Sequence, residues 1–300
     1  MKKESEKAKI LVVVGPTASG KTGLAIELAK RFGGEVISAD SRQVYRGLDI
    51  GTAKTTKEEM DGVPHHLIDV ANPMEVYNAA DFKHDAETAI AEIVKRGKLP
   101  IIAGGTFFYV DILLGRVALP DVPPNEQLRK KLEEKSAAEL YEELQAKDPR
   151  RASEIDAQNK RRLIRALEIA RELDYVPLAT KLPSPYSYML LGVQIEKDEL
   201  RERFAKRAQD WLKHGFLNEI ETVLKNGVTR ERLMEIGFEY KLGLELLDKK
   251  ISEAEFSQKF IEKNWQYAKR QMTWLKRDKE IRWFAKDNPE IFESVKNFLQ

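Results

Sequence analysis

Short, wholly apolar runs alternate with stretches of helical period over the first third of the chain. Ile10–Val14, 35–38, 65–70 and 99–105 read as strands, the first of them apolar enough to be buried on both faces. Between them, Lys21–Phe32 is amphipathic, and Ala79–Arg96 puts Phe82, Ala86, Ile90 and Ile93 on one helical face. Strands alternating with helices predict a parallel sheet covered on both faces. The pattern changes after Gly115. Three prolines within 118–126 mark a boundary, 126–172 is nearly all helix formers, and three more prolines fall in 174–187. Strand character returns at 189–195 and 281–284, with helices over 197–213, 215–226, 252–277 and 289–299. The expected architecture is α/β: a nucleotide-binding core with a parallel sheet flanked by helices, in two parts (1–120 and 187–300). An all-helical insert (121–186) interrupts it, and the C-terminal part is helical and basic.

Composition narrows the function. No cysteine occurs among the 300 residues, which excludes disulfides, cysteine-ligated zinc and thiol catalysis. A charged share of 33% beside 42% hydrophobic fits a water-soluble globular chain without a membrane span. The apolar run behind the basic start is only six residues long, too short for a secretory leader, so the cytoplasm is the expected compartment. A net charge of +2 hides two clusters: 8 basic against 3 acidic residues over 261–286, and 7 against 3 over 150–171. Such patches suit a polyanion, or are simply solvated helix faces.

One motif carries chemistry. Gly15, Pro16, Thr17, Ala18, Ser19, Gly20, Lys21 and Thr22 fit G-x-x-x-x-G-K-[ST] at every fixed position, between a strand and a helix. In that setting backbone amides and a helix N-terminus surround a phosphate, as in many ATP- and nucleotide-binding proteins. Lys21 would reach the outer phosphate oxygens, and Thr22 would hold Mg2+. Asp40 ends the next strand and opens a polar stretch to Lys54. It could support the metal, accept a proton from a nucleophile, or only cap a turn.

GPTASGKT, followed by ISADSRQVYRGLDIGTAK, HHLID, GGT and AKRQMTW in that order, resembles the bacterial tRNA dimethylallyltransferase family from about residue 10 to residue 284. The resemblance implies transfer of a dimethylallyl group from its diphosphate to the exocyclic amine of adenosine 37, beside the anticodon of tRNA. The phosphate loop would then hold the diphosphate leaving group, with Mg2+. Asp40 matches the family's general base, and Ser41, Arg42 and Gln43 a stretch that contacts the target nucleotide. Thr106 matches a threonine near the reacting groups, and Arg207 an arginine on the diphosphate. Arg129, Arg161, Arg162 and Arg165 in the insert, with Lys269, Arg270 and Gln271 downstream, match or lie near residues that hold the tRNA anticodon stem-loop. A monomer is the default state.

Four departures stand out. Thr55 replaces a proline, Phe107 and Phe108 replace Gly-Leu and are expected to reshape the prenyl pocket, Asn159 replaces an aspartate, and Phe238 a tyrosine. Trp274 could stack on a base or, the expectation here, fill the core; His65 and His66 are expected to pack or to bond a loop rather than bind metal. Three other functions remain open at this level: a prenyltransferase acting on free adenylate, a small-metabolite kinase, and an RNA-binding module with a vestigial loop. The insert and basic C-terminal helix count against the first, and intact Lys21, Thr22 and Asp40 against the last.

Overall fold

A computed structural model of the chain describes residues 7–178 and 181–300. The first part of the core runs β1 (Lys9–Val14), α1 (Lys21–Phe32), β2 (Gly34–Ser38), α2 (Lys57–Met60), β3 (His65–His66), α3 (Ala79–Lys95), β4 (Leu99–Gly104) and α4 (Phe107–Leu113). Four helices follow: α5 (Glu126–Glu133), α6 (Ala137–Lys147), α7 (Pro149–Glu154) and α8 (Lys160–Leu173). The chain then returns through β5 (Ser187–Gln194), α9 (Lys197–Lys213), α10 (Phe216–Lys225), α11 (Arg230–Ile236) and α12 (Phe238–Leu247). It ends in α13 (Glu253–Leu275), β6 (Arg282–Ala285) and α14 (Glu290–Leu299). Its contacts divide it into two compact units, Arg116–Pro183 and the remainder.

All six strands are parallel, in the order β3-β2-β4-β1-β5-β6. β1 lies between β4 and β5 and is buried from Ile10 to Val14, as its unbroken apolar run demands. One face of the sheet packs on α3 and α4 through Phe82, Ala86, Ile90 and Val110; the other packs on α1 and α14 through Leu24, Leu28, Ile291 and Val295. A third cluster is built mainly from helices, with Trp211, Phe216, Tyr240, Phe256 and Phe260 in contact and Val44 and Leu48 of the 40–54 stretch packed among them. That cluster fastens the 40–54 stretch to the C-terminal helices. Among the described residues no helix is long and apolar enough to cross a membrane.

The expected strand 65–70 stops after His66, because Leu67 and Asp69 take positive φ values of 61° and 57°. Asp69 thereby reaches Lys54 at 2.6 Å, and its amide donates to the Gln43 carbonyl. The short helices α4, α11 and α12 have no periodicity long enough to announce them. Uninterrupted helix formers over 126–172 break into four helices, capped at Asn125, Ser136, Asp148 and Asn159. Asn159 accepts from the Arg162 amide at 3.2 Å, which the aspartate it replaces would also do.

Within Arg116–Pro183, the side chain of Glu168 is 1% exposed. It accepts from Arg129 Nε and Nη2 at 3.0 and 2.9 Å, from the Asn125 amide at 2.6 Å, and from Arg165. Burial opposes ionisation, but these donors outweigh it and hold Glu168 below the usual carboxylate range. Its contribution to stability is therefore full near neutrality and lost as pH falls through that depressed range. Glu168→Ala is expected to destabilise this unit by about 2–4 kcal/mol, less than a fully buried pair because both arginines keep some solvent. Limited proteolysis across a denaturant series reads this as earlier cleavage within Arg116–Pro183; an unchanged profile would mean the arginines find other partners.

Candidate active site

Three strands deliver the site at their carboxyl ends, where ligands of open parallel sheets bind. β1 runs into the loop Gly15–Gly20, β2 into Asp40, and β4 into Gly105 and Thr106. Gly20 adopts φ 92°, open to glycine at little cost, and turns the loop into α1. It brings no side-chain cap, so the first amides of the 12-residue α1 have no side-chain oxygen in place. With no acidic residue in its first turn, that end of the helix suits a phosphate.

The loop is pinned from the second half of the chain. Gln271 on α13 accepts the Thr17 amide at 2.8 Å and donates to the Gly105 carbonyl at 3.0 Å, tying the phosphate loop to β4. A Cβ on Gly105 would lie 2.7 Å from Gln271 Nε2, so the bridge needs glycine there. From α9, Arg207 reaches Thr17 Oγ1 at 3.3 Å and Arg203 donates to the Ala18 carbonyl at 2.7 Å. Burial pulls the Lys21 ammonium down to about 8, against the attraction of Asp40 and with the repulsion of Arg207. Burial lowers Arg207 as well. Two desolvated cations that repel one another favour an anion between them.

Asp40 sits across the same cavity, whose volume is ≈ 1170 Å³. Its Oδ1 accepts from the amides of Arg42 at 2.9 Å and Gln43 at 3.4 Å, which fixes the carboxylate and leaves Oδ2 without a hydrogen bond among the described residues. Thr106 Oγ1 accepts from the Ser41 amide at 3.1 Å and donates to Ser41 Oγ at 3.3 Å, joining the β2 and β4 loops. Gln43 accepts from Ser38 Oγ at 3.1 Å and donates to the Ala53 carbonyl at 3.0 Å. Arg42 is paired with Glu239 at 2.6 Å and lies 5.7 Å from the rings of Phe238 and Tyr267. Burial pushes Glu239 up, against the pull of Arg42.

The structure thus brings Lys21, Thr22, Asp40, Ser41, Arg42, Gln43, Arg207 and Gln271 to one cavity. Lys269 and Arg270 point outward from α13, two and one residues before the inward-facing Gln271. Arg129 and Arg165 are held by Glu168, while Arg161 and Arg162 are exposed on α8. His65 bonds the Val63 carbonyl, and His66 bonds Glu35, itself bound to Arg96; neither histidine lines the cavity. Among the described residues no cluster of three histidine or acidic side chains exists. Thr22 at the loop's edge does fit Mg2+, which takes few protein oxygens beside phosphate and water.

Two expectations are corrected. Phe107 is packed in the core and Phe108 is 44% exposed, so neither lines the cavity they were expected to reshape. Trp274 is also 44% exposed, not core: the buried stripe of α13 runs Phe256, Phe260, Asn264, Ala268, Gln271, Leu275, and Trp274 falls beside it. Sequence reasoning also missed Glu219, which accepts from the amides of Asp49, Ile50 and Gly51 at 2.8, 2.6 and 3.0 Å and from the Tyr240 hydroxyl at 3.0 Å. Nothing local marks it in an ordinary amphipathic helix.

Comparisons with known proteins agree. The family described as IPP transferase matches residues 43–278. The tRNA dimethylallyltransferase of Thermomicrobium roseum is 40% identical over 304 residues, covering 99% of this chain and 92% of the relative. That of Staphylococcus carnosus is 40% identical over 292 residues, covering 93% and 92%. Among solved structures, a full-length tRNA isopentenylpyrophosphate transferase from Bacillus halodurans superposes with TM-score 0.71 at 37% identity, covering 98% of this chain and 96% of that one. A eukaryotic dimethylallyltransferase acting on tRNA gives TM-score 0.76 at 27% identity, covering 93% and 74%.

A lysine titrating near 8 makes anion binding pH-dependent. Protonated Lys21 attracts diphosphate; above about 8 the free site carries a neutral amine and the advantage shrinks. The affinity ratio of wild type to Lys21→Met for inorganic diphosphate is therefore expected to be constant below pH 7 and to fall above about 8. The ratio cancels the ligand's own titration. A ratio flat to pH 10 would return Lys21 to an ordinary lysine.

Proposed function

This chain belongs to the IPP transferase family, and on that premise we propose that it transfers a dimethylallyl group from dimethylallyl diphosphate to the exocyclic amine of adenosine 37 in tRNA, releasing diphosphate. The observation that carries this reading is the sharing of one cavity by an anion cradle and a positioned carboxylate, the former around Lys21 and Arg207 and the latter Asp40.

The chemistry follows from the substrates. An allylic carbon–oxygen bond breaks with cationic character at carbon and growing negative charge on the diphosphate. The α1 amides, Lys21 and Arg207 stand preorganised for that charge, and desolvation strengthens each of them. Magnesium held by the Thr22 hydroxyl would add positive charge at the same oxygens. The incoming amine is a feeble base with a delocalised lone pair, so it must lose a proton as it attacks. Asp40 Oδ2 accepts that proton while Oδ1 stays anchored. Thr106 holds the turn that presents Asp40 through its two bonds to Ser41. To enter, the adenine must leave its stack, and Lys269 and Arg270 would hold loop phosphates while it does. A cysteine-free chain acting on tRNA fits the cytoplasm, and a monomer supplies every group in this scheme.

The test is single-turnover transfer of labelled dimethylallyl diphosphate with Mg2+ to unmodified tRNA, to AMP and, for ATP turnover, to neither. Label in tRNA alone supports the reading. Label in AMP would make a free nucleotide the acceptor, and ATP turnover without label would make the protein a kinase or nucleotidase. Asp40→Asn is expected to cut turnover about 100-fold or more with tRNA binding nearly intact; normal turnover would remove Asp40 as base. Changing Lys269 and Arg270 together to alanine should weaken tRNA binding and flatten its salt dependence by about two phosphate contacts. An unchanged slope would place that helix away from the RNA.

A further inference from the structure

The phosphate loop and the proton acceptor are held by different side chains of the C-terminal helices. Gln271 and Arg203 bond the loop and make no bond to the 40–54 stretch. Residues 49–56 form another part of the cavity lining. Two backbone bonds of 2.9 Å close a turn there, from the Ala53 amide to the Ile50 carbonyl and from the Lys54 amide to the Asp49 carbonyl. The amides of Asp49, Ile50 and Gly51 all donate instead to the half-buried Glu219 of α10. The fully buried Tyr240 donates its hydroxyl to the same carboxylate at 3.0 Å. Four bonds to one charged group fasten the turn to α10.

The same turn reaches Asp40. Its Ala53 carbonyl accepts from Gln43 Nε2 at 3.0 Å, and the Gln43 amide donates to Asp40 Oδ1 at 3.4 Å. Lys54 Nζ adds a second tie, to the Tyr45 carbonyl at 2.8 Å. A path of hydrogen bonds therefore runs from Glu219 through the 49–53 turn and Gln43 to the carboxylate. Resting on the reading of Asp40 as proton acceptor above, we propose that Glu219 is a positioning residue for the transfer step: it sets the placement of Asp40 and leaves the anion cradle unaffected. Proton transfer needs the acceptor oxygen within hydrogen-bond reach of the amine, and a misplacement of about 1 Å can cost about 100-fold. Glutamine at 219 keeps one oxygen. Whichever oxygen its NH2 replaces, that group faces at least one backbone N–H, so the turn loosens while its apolar packing stays.

Single-turnover transfer of labelled dimethylallyl diphosphate to unmodified tRNA tests this. Glu219→Gln is expected to lower the rate about tenfold, with affinities for inorganic diphosphate and for tRNA within about twofold of wild type. Tyr240→Phe removes one donor to Glu219 and keeps the ring; it should show the same pattern at about threefold. The double variant separates positioning from stability. Added to Asp40→Asn, Glu219→Gln should lower the rate by no more than about twofold further, because the group it positions has already lost its function. A full further tenfold loss would mean that Glu219 does not act through Asp40, and overturns the proposal. So does a diphosphate affinity that falls with the rate, or a lowered thermal midpoint with the rate unchanged. If wild type labels no tRNA, the proposed function itself falls. If wild type labels tRNA and Asp40→Asn keeps a normal rate, the base assignment falls and the positioning role with it.

Discussion

Backbone amides with no protein oxygen to bind are the constraint around which this molecule is arranged. The start of α1 lacks a side-chain cap, which leaves donors and a positive helix end facing a cavity. Lys21 and Arg207, both desolvated, add to the same potential. Desolvated cations that repel one another stay in place only if their neighbours hold them. Gln271, Arg203 and Arg207 do so from α13 and α9, which explains why a helical segment nearly 200 residues or more downstream belongs to the core.

Buried and half-buried carboxylates serve as the complementary fasteners. Glu219 gathers three consecutive amides of the 49–51 turn, Glu239 takes Arg42, and Glu35 takes Arg96 and His66. Glu35 and Glu219 are satisfied by several donors and the buried Glu239 by Arg42, so removing Arg42 leaves that charge without a side-chain partner. Glu219 and Glu239 both act on the stretch that begins at Asp40. Its shape is therefore set by the C-terminal helices as well as by its own turns, and Asp40 and the phosphate loop share supports from those helices.

This arrangement separates the two halves of the transfer. On the proposed reading, charge would develop on the leaving group within a desolvated cradle, while the proton would depart to a carboxylate oxygen kept free of other bonds.

Much of this was legible in the chain. Apolar runs long enough to be strands only if buried on both faces gave β1, β2 and β4, and the glycine spacing with Lys21 and Thr22 gave the cradle, because those are local properties of backbone and period. The family's segments pointed to Asp40, which lines the cavity, and to Thr106, which bonds Ser41 behind it. Tertiary structure alone decided the rest. The strand expected over 65–70 ended at His66 because Asp69 turns to Lys54, a partner 15 residues away. Glu219 and Glu239 look like surface helix residues until folding buries them against amides and a guanidinium. Trp274 and Phe108 are apolar by type yet lie outside, because burial depends on which side of a helix meets a neighbour, and a residue next to a buried stripe can fall on either side of that edge.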